Sequence, residues 1–282
     1  VNRFWKDEKF IKEDFHVSSK EKTEQRWTDE YLEPIFNQID SYLQNEDDVL
    51  ILQEVPNMFF DNDSKRFKGI CSARIKLKNH CDSKKIVMLF PVYARFSYAR
   101  TAVLFNKGQY IYDENYKNNI VSAFPKYRNK IVAVHPAIDP DFRVVGMHIP
   151  AGCSKFYDSL IALHRDMTED IPTVYIGDLN TYHSETVNKR KLTEFMGEGL
   201  KDFWLESGHK HDAEDYPDAT TYVHNGINER LDYALVTVKG IDKLNNKYEM
   251  TVDHSVRING LSDHSAIILK EKTPETKKTG EL

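Results

Sequence analysis

The stretch VYIGDLNTYH (174–183) runs apolar and then ends on Gly177, Asp178, Leu179 and Asn180, an acid and an amide spaced two apart. Alternate side chains of a β-strand share a face, so the spacing predicts that Asp178 and Asn180 project to one side at the strand's end. Glu54, His148, Asp232, and Asp263 with His264 likewise lie within or just beyond apolar segments. Any one of these could be satisfied by a salt bridge or a loop backbone. Acids are disfavoured in strands and costly to bury unpaired, so the set as a whole needs partners or a metal ion.

The elements that must position these residues can be read from periodicity. TEQRWTDEYLEPIFNQIDSYLQNE (23–46) spaces Trp27, Tyr31, Ile35, Ile39 and Leu43 four apart, the stripe of an amphipathic helix. DVLILQEV (48–55) reads as a buried strand ending on Glu54, with further strands at 84–92 and 100–107. Residues 129–150 read as two strands joined by a turn around Pro140. Ser154 caps a helix over 154–167 with Phe156, Leu160, Leu163 and Met167 on one side, and Ser184 begins another over 184–199. A polar loop (207–229) separates these from strands at 230–238, 248–256 and 265–271. Strands outnumber helices and several are adjacent, which favours a layered α/β sandwich over a doubly wound sheet.

At 282 residues, with 40% hydrophobic and 12% aromatic side chains, the chain can bury a sizeable core. Its 39 basic and 44 acidic groups give a net charge of −5, so bulk charge neither demands nor excludes a polyanionic partner. Three cysteines, Cys71, Cys81 and Cys153, lack the density of a disulfide scaffold and fit a reducing, cytoplasmic setting. Two of them with His80 fall short of a recurrent zinc pattern, so ordinary packing is expected. No apolar stretch approaches the ~20 residues of a membrane span, and the visible N-terminus is too polar for a signal peptide. The chain opens on Val1 rather than Met, so a removed leader would be out of sight.

The segments LQEVP, GMHIPAG, YIGDLN, RLDYALV and LSDHSAI resemble, in order and context, those of the endonuclease/exonuclease/phosphatase superfamily. The resemblance spans roughly residues 1–270 as one catalytic domain, leaving 271–282 as a polar tail expected to be disordered. It implies a four-layer α/β/β/α sandwich with two packed, mostly antiparallel β-sheets. It also implies hydrolysis of a phosphate ester with Mg²⁺ or Mn²⁺.

By the same resemblance, Glu54 is the principal metal-binding carboxylate, with Asp263 near the metal, and hard divalent cations do take oxygen ligands. Asp178 orients or deprotonates the attacking water, and Asn180 donates to phosphoryl oxygens. His264 sits on the scissile phosphate, as base or as cationic clamp, and Asp232 fixes its tautomer and raises its pKa. His148 resembles the second histidine of deoxyribonuclease-like members, which stabilises the phosphate or assists the leaving group. Arg128 resembles the arginine with which those members grip the backbone, and Arg95, Arg100, Lys126 and Lys130 lie where phosphate-contacting groups are placed. Tyr93, Phe96, Tyr98 and Tyr127 could stack on bases or merely pack.

Two departures stand out. Family members open with a strand ending in Asn, one residue, then Asn or Asp; here VNRFW supplies only the second, Asn2, so the first Asn and its strand are expected upstream of Val1. SYARTAVLF offers Ala99 and Arg100 where an acid often partners the second histidine. The reading is a metal-dependent phosphodiesterase, a nuclease acting on DNA or RNA. The alternatives are a phosphomonoesterase, a lipid-headgroup phosphodiesterase, against which no exposed apolar hairpin is evident, and a binding module without activity.

Overall fold

The structure, a computed structural model, describes residues 29–56, 70–91, 99–167, 171–182, 186–210, 217–224 and 226–272. Helix α1 (Asp29–Tyr42) leads into β1 (Val49–Pro56), and helix α2 (Ile70–Lys84) into β2 (Ile86–Leu89). Strand β3 (Ala99–Asn106) pairs antiparallel with both, in the order β1-β3-β2. A six-stranded sheet follows, built from β4 (Tyr110–Tyr112), β5 (Ile131–Pro136), β6 (Arg143–His148), β7 (Thr173–Asp178), β8 (Leu200–Asp202) and β11 (Asp232–Thr237). Its order is β4-β5-β6-β7-β11-β8, and only β6 and β7 run parallel. A parallel pair needs a long crossover, here helix α4 (Ser154–Met167). The hairpin β9 (Tyr222–His224) and β10 (Ile227–Glu229) and the pair β12 (Tyr248–Asp253) and β13 (Ala266–Glu271) complete the described strands.

Strand alternation sorts the apolar side chains into three cores and so creates the layers. Ile131 and Ala133 of β5 join Val145, Met147 and Tyr175 against helices α3 (Glu114–Ala123), α4 and α5 (Thr186–Met196). Val132 and Val134, on the opposite face of β5, meet Val103 and Phe105 of β3 and the inner side chains of β1, β2, β12 and β13. Ala102 and Leu104, the other face of β3, pack on Leu32, Ile39 and Leu43 from α1 and its end and on Leu77 and Cys81 of α2. The result is helices, sheet, sheet, helices. The expected four-layer α/β/β/α sandwich with mostly antiparallel sheets is the observed architecture.

Some local expectations change. Residues 70–84 form a helix, which separates positions 71 and 81 by about 15 Å along its axis. Cys81 is buried in the core, and His80 bonds Asp40 at 2.9 Å while stacking on Phe36, so a zinc site there has no support. The polar loop 207–229 contains the β9–β10 hairpin. Ser184, Trp27, Asn2, Tyr93, Arg95, Phe96, Tyr98 and the tail from 273 lie outside the described residues. No helix among the described residues is long and apolar enough to cross a membrane.

Strand β1 pairs with β3 on one edge and β13 with β12 on one edge. Val49 through Val55 and Ser265 through Glu271 together line a cavity of about 1280 Å³ that reaches Glu54, Asp178, Asp232 and His264.

Candidate active site

Register alone assembles the centre of the site. His148, the last residue of β6, pairs with Asp178, the last of β7, and Asp178 pairs with Asp232, the first of β11. Three adjacent strand ends therefore present an imidazole and two carboxylates in one row, all buried. Gly177 makes the close approach possible: its φ is +148°, and a Cβ there would lie 1.9 Å from the Met147 carbonyl oxygen and 2.5 Å from Nε2 of Gln53. Gln53 in turn donates to that carbonyl at 3.2 Å.

The spacing of Asp178 and Asn180 has a different cause from strand alternation. Strand β7 ends at Asp178, and Asn180 adopts φ +49°, a left-handed conformation that Asn tolerates better than most residues. Its backbone N–H donates to Asp178 Oδ1 at 2.8 Å, closing a side-chain turn over two residues. Its Nδ2 donates to the Ile149 carbonyl at 2.7 Å and to Asp178 Oδ2 at 3.1 Å. The amide thus orients the carboxylate, and donation to a phosphoryl oxygen would require it to exchange the Asp178 contact.

Glu54 reaches the row from the other sheet. A register shift between Leu52 and Val55 marks a bulge in β1, and Glu54 there has φ +53°. Bulges re-aim side chains, and a left-handed glutamate costs about 1–3 kcal/mol that the surrounding structure must offset. Glu54 Oε1 and Asp178 Oδ2 each lie 3.7 Å from His148 Nε2. On the other side of the ring, Lys130 Nζ is 3.0 Å from His148 Nδ1.

His264 closes the far end of the row. Its Nδ1 lies 2.7 Å from Asp232 Oδ2, and its backbone N–H donates to Ser262 Oγ at 3.0 Å. Asp263, with its side chain about half exposed, lies 4.0 Å from Nε2. The Tyr222 ring packs 4.9 Å from His264, and Thr221 Oγ1 accepts from the N–H groups of Leu231 and Asp232 at 2.9 and 3.1 Å. Burial opposes a charged His264, but Asp232, followed by Asp178 and Asp263, outweighs it and raises its pKa to about 10. Burial pushes Asp178 up to about 8, with Asp232 and Glu54 adding to and His264 opposing the rise. Burial also raises Glu54, against Lys130 and His264, and holds His148 well below the usual imidazole range, assisted by the Lys130 and His264 charges.

The same architecture occurs in solved structures. The 3′ phosphatase NExo from Neisseria, solved with a product DNA hairpin, aligns at TM-score 0.55 with 15% identity, over 86% of this chain and 96% of that one. An endonuclease/exonuclease/phosphatase family protein from Leptotrichia buccalis aligns at TM-score 0.57 with 15% identity, over 87% and 95%. The chain shares its fold with these two structures. No family sequence model matches the chain, and no curated protein matches it by sequence.

Within this fold, Glu54, His148, Asp178, Asn180, Asp232 and His264 come together, with Asp263 at the margin. Arg100 is buried on β3 opposite Val55, next to Glu54 in the β1 ladder. Arg128 is half-buried in the turn that leads to β5, beside an exposed Lys126. Sequence reasoning missed the supporting groups. Asn188 of α5 is fully buried; its Nδ2 lies 3.2, 3.3 and 3.1 Å from the carbonyls of Pro150, Leu179 and Asn180, and its Oδ1 accepts from Cys153 N–H at 3.0 Å. Thr221 directly precedes β9 and Tyr222 opens it, inside the polar stretch 207–229, where the Asn-Gly pair of the sequence HNG (224–226) is the hairpin signal.

Proposed function

We propose that this chain is a divalent-metal-dependent phosphoester hydrolase acting on nucleic acid, a nuclease in its primary reading. The observation that carries the proposal is the row His148–Asp178–Asp232 with His264 bonded to Asp232, two acids and two imidazoles in different protonation environments at one sheet edge. Groups whose environments push their pKa values apart are how acid and base roles are divided.

In this reading Asp178 receives the proton of the attacking water, its upward-shifted carboxyl being matched to mildly alkaline conditions. Asn180 and Asn188 hold that carboxylate in place. His264, charged and fixed through Nδ1 by Asp232, offers Nε2–H to a phosphoryl oxygen; positioning and charge stabilisation supply most of the rate in phosphoryl transfer. Arg100 and Arg128 are candidates for contacting substrate phosphates.

Glu54 and Asp263 would hold Mg²⁺ or Mn²⁺. Among the described residues no three His, Cys, Asp or Glu side chains form a cage for an ion. Mg²⁺ does not need one, because it keeps several waters and binds through one or two carboxylates plus substrate phosphate. Glu54, a carboxylate raised by burial and facing Asp263, suits a cation that restores its charge. When bound, the ion would polarise the phosphoryl oxygen and neutralise charge developing on the leaving group.

A 3′ phosphomonoesterase acting on DNA is the second reading, favoured by the fold likeness to NExo. Incubation with Mg²⁺ or Mn²⁺ and separate DNA, RNA, 3′-phosphorylated DNA, phosphoinositide and sphingomyelin substrates tests the proposal. Cleavage of a nucleic-acid internucleotide bond supports a nuclease, release of inorganic phosphate supports the second reading, and lipid cleavage alone or no turnover overturns both.

A further inference from the structure

The acid that partners the second histidine in the resembling family has no counterpart at Ala99 or Arg100, which pair with Pro56 and Val55 on β1. The position beside His148 Nδ1 is instead filled by Lys130. Lys130 directly precedes β5, and continuing the register in which Ile131 faces Met147 sets it opposite His148, whose N–H donates to the Lys130 carbonyl at 2.9 Å. That carbonyl also accepts from Thr101 Oγ1 at 2.9 Å, while the Lys130 N–H donates to the Tyr127 carbonyl at 2.8 Å. The lysine backbone is therefore fixed on three sides.

The two ring nitrogens of His148 face opposite kinds of neighbour. Burial lowers the Lys130 pKa and the charges of Glu54 and Asp178 oppose the fall; as an ammonium it has three donors and no acceptor, so at 3.0 Å it requires a bare lone pair on Nδ1. At the other end Nε2 faces two carboxylates, Glu54 and Asp178, each at 3.7 Å, which favour an N–H and repel a lone pair. Both ends select one neutral tautomer, with the proton on Nε2.

We propose that Lys130 is a positioning residue that fixes His148 as an uncharged Nε2–H donor, which binds a phosphoryl oxygen between Glu54 and Asp178 rather than passing a proton to the leaving group. The proposal rests on the phosphoester reading for its substrate, but the tautomer does not. It also divides the two histidines of the site: His264 is held by a carboxylate as a donor with charge, and His148 by an ammonium as a donor without it.

Nitrogen-15 NMR of the histidine-labelled protein near pH 9, above the Asp178 value of about 8, tests the tautomer without any activity. Expected is a His148 ring with bare Nδ1 and protonated Nε2, assigned by its absence in His148→Gln. In Lys130→Met that signature weakens or moves to the other tautomer, and in Lys130→Arg it returns. A wild-type His148 protonated on Nδ1, or a tautomer unmoved in Lys130→Met, overturns the proposal. The donor role is read from kinetics. Gln carries an N–H but no transferable proton, so His148→Gln should keep kcat within about tenfold of wild type while His148→Ala falls about a hundredfold, a span typical of lost acid–base or donor groups. Equal loss in both variants overturns the donor role even if the tautomer is found. Absence of turnover in the wild type overturns the phosphoester reading instead and leaves the NMR result to decide the lysine's role.

Discussion

His264 Nδ1 lies 2.7 Å from Oδ2 of Asp232, and Asp232 faces Asp178 across the β7–β11 pair. In the proposed reading, one carboxylate sets the proton of the histidine while its neighbour acts as base. Asp232→Asn keeps the shape and removes the charge. Turnover should fall by about a hundredfold or more, read as kcat on a nucleic-acid substrate, because the imidazole loses both its fixed tautomer and its charge.

The same pair has a stability signature in EDTA. The folded-state pKa of His264 is about 10 against an ordinary value of 6.5, raised by Asp232 over the opposing effect of burial. A raised pKa contributes stability that is complete below the unfolded value, declines as pH rises through the interval, and is gone above the folded value. The excess in Tm of wild type over Asp232→Asn should therefore shrink steadily from about pH 6.5 to about pH 10. An excess that is flat with pH would show that the pair is not charged in the folded protein.

Gly177 is the tightest backbone contact beside the site. A Cβ there would meet the Met147 carbonyl oxygen at 1.9 Å, which is main chain and cannot swing aside. Gly177→Ala should cost about 4 kcal/mol or more by denaturant unfolding, among the larger effects a single substitution produces. Gly226, where a Cβ meets nothing within 4 Å, serves as the control for the left-handed glycine conformation alone.

Asn188 ties the turn at Leu179 and Asn180 to the segment at Pro150–Cys153. Asn188→Ala removes the side-chain partner of the Cys153 N–H and of the Pro150 and Asn180 carbonyls, while the Leu179 carbonyl keeps the Tyr157 hydroxyl, at about 1–3 kcal/mol. Because the turn it holds carries Asp178, kcat should fall together with Tm; Tm alone falling would assign Asn188 a purely structural role.

Much of this was legible in the residues because strands advertise themselves. LQEV, GMHIP, GDLN and RLDY each set a polar residue at the end of an apolar run, and register then made neighbours of His148, Asp178 and Asp232. What strand logic could not supply was anything set by turns. Asp178 and Asn180 share a hydrogen-bonded turn rather than a strand face, and Glu54 owes its aim to a bulge. Helix α2 was hidden because its apolar residues keep no clear stripe, and Asn188 because a buried amide in a polar helix looks like any surface residue. The pairing of Lys130 with His148 needed the β5–β6 register, which no local pattern prints.

Single-turnover cleavage of end-labelled DNA and RNA by wild type and Asp178→Asn, each with Mg²⁺ and with EDTA, is the most direct test. Hydrolysis at the Asp178–His264 row predicts product from wild type with Mg²⁺, its loss in EDTA, and a fall of about a thousandfold in Asp178→Asn. Cleavage by Asp178→Asn at the wild-type rate, or cleavage undiminished by EDTA, would place the chemistry elsewhere and contradict it.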